Sequence, residues 1–182
     1  MRRTKKQRHS EAAKPARGEH RNPAMRAQAM EAFFLHAFAY IHMSVITLRV
    51  VEREGLSVTK LRILALATLT PDLTVGDLVR HLRVTHQAVN EPLRELIRQG
   101  YIVAKVGLKD RRHKTLLATR KGSNLYMQHA HRLAKLFEGA FRATSPGAAT
   151  TVIRVFRRLV QPSDREWIAQ ALPIAEKAIA SD

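Results

Sequence analysis

Two groups of side chains carry the chemistry of this chain. Thr85, His86, Gln87 and Asn90 stand within six residues of one another, with Arg94 one helical turn beyond Asn90. Gln87 and Asn90 end in amides, which hold a donor and an acceptor side by side and so match the donor–acceptor edge of adenine. The second group is Lys109, Arg111, Arg112 and Lys114, four cations around a single carboxylate, Asp110. Arginines on a narrow loop suit a minor groove, where the potential is most negative. Asp110 opposes phosphate, so its role is local: accepting turn N–H groups or orienting one arginine.

Catalytic constellations are missing by comparison. The chain has no phosphate-cradling glycine loop, no His-Glu-x-x-His pair and no nucleophile elbow. Its nine histidines do not suggest a metal site. His129 and His131 are two apart and point to different faces of a helix, while His36 and His42 also diverge. No catalytic residue, metal or cofactor is expected, and the protein is read as a non-enzyme.

The elements that must hold the two groups follow from hydrophobic spacing. Thr59–Ala67 is an apolar helical run, Pro71-Asp72 breaks it, and Thr74–Arg83 is a short amphipathic segment. Thr85 is suited to N-cap a third helix through Gln99, its hydroxyl accepting an N–H one turn on. Val89, Leu93, Leu96 and Ile97 are then its buried face. Tyr101–Val106 and Lys114–Ala118 make a hairpin whose tip carries the second cationic group. Upstream, Met30, Phe33, Phe34, Ala37, Ile41, Val45, Leu48 and Val51 recur at three- and four-residue steps and predict one long helix over 24–53. At 1.5 Å per residue it spans ~42 Å, more than a small domain needs for its own core, and its surplus apolar face suggests a second copy of the chain. Downstream, helices are expected over Ser123–Phe141 and Ala148–Val160. A last helix is expected with Ser163 as N-cap and Glu166 as its capping-box partner, limited or kinked by Pro173.

Charge narrows the partner. Lys and Arg number 32 against 15 acidic residues, a net +17 in 182 residues. Residues 1–26 hold nine basic and two acidic side chains and residues 105–121 hold seven and one. The excess is therefore concentrated, as a polyanion-binding protein would have it. Residues 1–23, dotted with Pro15, Gly18 and Pro23, are too polar to fold alone and are expected to form a basic arm. With no cysteine there is no disulfide and no thiol-based sensing. No apolar run approaches the ~20 residues needed to span a bilayer, so a cytoplasmic protein without membrane partners is expected.

The residues also carry a family likeness. Asp110-Arg111-Arg112 followed by Leu116, Thr119 and Gly122 resembles the D-x-R…L-T-x-x-G wing signature of MarR-type winged helix-turn-helix regulators. Thr85, Val89, Asn90, Leu96 and Gly100-Tyr101-Ile102 fall where that family has its recognition-helix pattern. The resemblance implies a mainly α fold with a small β-hairpin wing, flanked by long N- and C-terminal dimerisation helices. It divides the chain into an arm (1–23), an N-terminal dimerisation helix (24–55), a winged domain (56–122) and a C-terminal helical dimerisation region (123–182). It further implies a homodimer on a pseudo-palindromic double-stranded DNA site, a small-molecule effector near the junction of dimer and DNA-binding parts, and a wing arginine, Arg112 with Arg111 beside it, in the minor groove. Two residues depart from the pattern. Glu91 stands where the family usually has a cation, and Pro92 lies inside the reading helix, where a proline costs ~3 kcal/mol unless the helix bends. From Thr85 to Gln99 the charges cancel, Arg94 and Arg98 against Glu91 and Glu95. The expectation is thus a dimeric transcriptional regulator, with a sequence-tolerant nucleic-acid-coating winged-helix protein as the alternative.

Overall fold

The computed structural model describes residues 22–106 and 114–179. Its elements run α1 (Pro23–Arg53), α2 (Val58–Leu69), α3 (Val75–Leu82), α4 (His86–Arg98), β1 (Ile102–Val106), β2 (Lys114–Ala118), α5 (Arg120–Arg142), α6 (Ala148–Leu159) and α7 (Pro162–Ile179). The three-helix, hairpin and flanking-helix order is the expected winged helix. By internal contacts the chain divides into two compact units, Met1–Ile41 and His42–Asp182, with the division inside α1.

In the first unit α1 leaves its large apolar side chains uncovered. Phe33, Phe34, Leu35, Phe38 and Ile41 are all more than half exposed, and the Phe33 and Phe34 rings meet edge to face at 5.6 Å. Leu35 and Phe38 lie outside the expected stripe, so the helix is apolar on more than one side. By length and composition α1 is able to cross a membrane. The expectation that no apolar run approaches this length is corrected, because the span tolerates single polar residues such as His36 and Ser44.

The second unit is built on α2. Its N-cap is Ser57, whose hydroxyl accepts from Lys60 N–H, and five of its residues, Leu61, Ile63, Leu64, Leu66 and Ala67, are almost wholly buried. Around it close Leu73, Leu78 of α3, Val89 and Leu96 of α4, and Ile102 and Leu116 of the hairpin. At α3 the Thr74 hydroxyl accepts from Asp77 N–H while the Asp77 carboxylate accepts from Thr74 N–H, a reciprocal capping box. Burial pushes the Asp77 carboxyl up, but the Thr74 hydroxyl and N–H, with Arg80 and His81 nearby, more than offset it and leave its pKa lowered.

The strands pair antiparallel, Ile102 opposite Ala118 and Val106 opposite Lys114. Leu116 N–H also donates to Leu73 C=O at 2.7 Å, tying the hairpin to the loop between α2 and α3. The strand ends are locked by Thr119. Its N–H donates to Tyr101 C=O, its hydroxyl donates to Gly100 C=O at 2.7 Å, and the same oxygen accepts from Gly122 N–H to cap α5. Gly122 packs so closely that a Cβ would lie 2.2 Å from the Tyr101 carbonyl oxygen. The threonine–glycine spacing of the wing signature is therefore a steric requirement.

Three local expectations are corrected. α5 begins at Arg120, earlier than Ser123, because Thr119 is its cap. α7 begins at Pro162, and Asp164 and Arg165 N–H donate to Gln161 C=O. Ser163 is thus inside the first turn, not the cap, since proline's fixed φ suits the first helical position. α7 also continues through Pro173 to Ile179. The carbonyl that Pro173 leaves without a partner belongs to Ala169, which is exposed to water.

α7 packs against α2. Trp167 Nε1–H donates to Thr70 Oγ1 at 2.8 Å, Ala171 is buried with Leu69 and Met127, and Asp164 pairs with Arg83 at 2.7 Å. Arg83 ends α3 in the left-handed conformation.

Candidate nucleic-acid interface

The third helix of the winged unit, α4, is the element that positions the first chemical group. Thr85 caps it as expected, its hydroxyl accepting from Ala88 N–H at 3.3 Å. At the other end Gly100, with φ +73°, lets Tyr101 N–H reach Leu96 C=O and its own N–H reach Ile97 C=O, which is a Schellman termination. Val89, Leu93 and Leu96 are buried as expected, whereas Ile97 is 38% exposed. It follows Leu96 by one residue and so rotates off the buried stripe. Pro92 does not break the helix, which runs unbroken from His86 to Arg98. The carbonyl it deprives is that of Ala88, on the solvent side.

Thr85, His86, Gln87, Asn90 and Arg94 are all exposed, so the fold brings the sequence-nominated residues of this helix onto its free side. The outermost ridge, opposite the buried stripe, is Gln87, Glu91, Arg94 and Arg98, at steps of four, three and four. Arg98 is a ridge residue that the sequence reading left out, although that spacing from Gln87 would have found it. Arg94 Nη1 lies 3.6 Å from Glu91 Oε2, with both side chains well exposed.

The charges of α4 are not equivalent. Lys60 of α2 forms an ion pair with Glu95, its side chain only 13% exposed. The Lys60 ammonium hydrogen bond lowers the Glu95 pKa against an opposing desolvation, and Arg98 adds a smaller pull. Glu95 therefore pins α4 to α2 and is not free to meet a ligand. Glu91 has no such anchor across the fold among the described residues.

Of the second group, Lys109, Arg111 and Arg112 lie outside the described residues. Lys114 opens β2 and is exposed, as is Lys105 of β1, which pairs with Thr115. At the base of the wing Lys121 Nζ donates to Gln99 C=O at 3.0 Å and sits 4.2 Å over the Tyr101 ring. It ties the end of α4 to the start of α5. The basic arm also falls mostly on residues that are not described.

Among the described residues one histidine, His129 of α5, is buried. Its Nε2 is 3.4 Å from Thr47 Oγ1, and its Nδ1 has no hydrogen-bond partner among the described residues. Burial, and to a lesser degree Arg132, pushes its pKa down. Among the described residues no three His, Asp or Glu side chains converge as a metal site would require.

Comparison with known proteins agrees with this architecture. The MarR family model matches residues 54–113, from just after α1 to just before β2. The HTH-type transcriptional regulator PetP of Rhodobacter capsulatus is 29% identical over 138 residues, 76% of this chain and 81% of PetP. Among solved structures, a mutant of MepR from a multidrug-resistant S. aureus clinical isolate superposes with TM-score 0.62 at 18% identity, over 70% of this chain and 94% of that one. Streptococcus pneumoniae FabT, crystallised in complex with DNA, gives 0.58 at 22% identity over 73% and 94%. With the wing signature, the three-helix core and these relatives in agreement, residues 54–113 resemble the MarR family and the chain shares the winged helix-turn-helix fold of the solved structures.

Proposed function

We propose that this protein is a dimeric DNA-binding transcriptional regulator that reads a pseudo-palindromic site through α4 and grips it through the wing and the basic arm. The observation that carries this is the free side of α4. Thr85, His86, Gln87, Asn90 and Arg94 are exposed together on a helix capped at both ends and ion-paired to α2, which is how a reading helix must be held. The net +17, the regulator name of PetP and the DNA complex of the similarly folded FabT support it. The dimer is argued from α1, whose uncovered aromatic residues a second copy would bury. A small-molecule effector and a cytoplasmic location belong to the same reading.

Electrostatic grip makes binding salt-dependent, each neutralised phosphate contributing about 0.9 to the slope of log K against log salt. The Arg111→Ala, Arg112→Ala double variant is expected to bind promoter duplex more weakly with a shallower slope, measured by fluorescence anisotropy from low to high salt. An unchanged slope would remove the wing from the interface. The second reading, a sequence-tolerant coating protein, draws on the zero net charge of Thr85–Gln99, which leaves affinity to arm and wing. Excess random duplex would displace a coating protein, whereas a specific regulator would keep its site.

A further inference from the structure

We infer that Glu91 is a base-reading residue that selects a C·G pair in each half-site, with Arg94 as its partner. The inference rests on the DNA-binding reading of α4. Among Gln87, Glu91, Arg94 and Arg98, the four residues that point directly away from the buried stripe of Val89, Leu93 and Leu96, Glu91 alone is anionic. A helix docked by this face cannot keep that residue out of the groove, since its side chain is 65% exposed and projects from the middle of the ridge. The other carboxylate of the outer half of α4, Glu95, is already held by Lys60. Among the described residues Glu91 is held only by Arg94 on its own helix, at 3.6 Å between two exposed groups, a contact weak enough to be exchanged for base contacts.

The chemistry then chooses the base. A carboxylate only accepts hydrogen bonds. In the major groove guanine offers two acceptors, thymine an acceptor and a methyl group, and adenine a donor beside the N7 acceptor. Cytosine offers the N4 amino donor with no acceptor beside it on the same base. Arg94, one turn on and next to Glu91, complements the O6 and N7 acceptors of the paired guanine. The opposite charges of the two side chains thus match the opposite halves of one base pair. The carboxylate also repels phosphate and guanine edges, so it raises specificity by penalising wrong sites as well as by favouring the right one.

The test is binding-site selection from a random duplex pool with full-length wild type, Glu91→Ala and Glu91→Gln. It is followed by titration of the selected site and of versions carrying G·C or A·T at each position. Wild type is expected to favour C·G over G·C by about tenfold or more at one position per half-site. Glu91→Ala should lose that preference at that position alone. Glu91→Gln should move it toward A·T, since an amide pairs with the N6 and N7 of adenine. Circular dichroism checks that the exposed substitutions leave the fold intact. A cytosine preference that survives in Glu91→Ala overturns the inference, as does an equal gain in affinity on every duplex, which would mean that Glu91 only repels backbone. If wild type binds no duplex even at low salt, the DNA-binding reading itself fails, a result distinct from the other two.

Discussion

Gly122, Thr119 and His129 show how much single side chains decide in this fold. A methyl group at residue 122 would meet the Tyr101 carbonyl at 2.2 Å and Leu64 Cδ1 at 2.8 Å, and backbone cannot yield as a side-chain tip does. Gly122→Ala is therefore expected to destabilise the winged unit by about 1–3 kcal/mol or more, read as a lower denaturant midpoint with unchanged m-value. At His129 burial favours the neutral ring. The unfolded chain takes up a proton near the ordinary histidine value while the folded chain resists, so stability is full above about pH 6.5 and falls as pH drops below it. Thermal melts between pH 7.5 and 5.5 should show a steeper loss for wild type than for His129→Leu, and parallel curves would assign the acid sensitivity elsewhere. Some of this was legible beforehand. Thr119 and Gly122 stood out as a motif, but their reason is a contact between strand end and helix start that only the folded chain brings together. Nothing in the spacing distinguished His129 from the other eight histidines.

At the scale of elements, the helices and hairpin follow from local signals, and their docking does not. α4 was readable from the Thr85 cap, the apolar steps and Gly100. Its outward ridge follows from the same periodicity. That Glu95 belongs to the fold and Glu91 to the free side needed the position of Lys60, 35 residues away in the chain. α7 is a parallel case. Its cap was misplaced, and its docking on α2 through Trp167 and Thr70 had no signature at all. Trp167 is half-buried, so Trp167→Ala should cost about 2–3 kcal/mol, at or below the low end for a buried aromatic. Increased amide exchange over Pro162–Ile179 in that variant would confirm that this contact holds the helix down. Thr70→Val, which removes only the hydrogen bond, should cost about 1 kcal/mol. Equal exchange in wild type and Trp167→Ala would show that the Asp164–Arg83 pair and Ala171 suffice.

At the scale of the whole molecule, the decisive feature is apolar surface that one chain leaves uncovered. Phe33, Phe34, Leu35 and Phe38 of α1 are 53–70% exposed, and a separate groove of about 450 Å³ between α5 and α6 is lined by Phe137, Phe141 and Ile153, among others. Such surfaces mark association. Phe34→Asp with Phe38→Asp is expected to convert a sedimenting dimer into a monomer and to weaken DNA binding with it. Wild type recovered only from the membrane fraction until detergent is added would instead favour the bilayer for α1.

The sequence by itself determined the family resemblance, the order of helices and hairpin, the cap of α4 and the concentration of positive charge. These depend on residues near one another in the chain, where periodicity, capping and net charge act locally. Only the tertiary structure decided which carboxylate of α4 is anchored, why Gly122 admits no side chain, where α7 docks and which histidine is buried. Each of those depends on a distance between residues far apart in sequence, which no local pattern specifies.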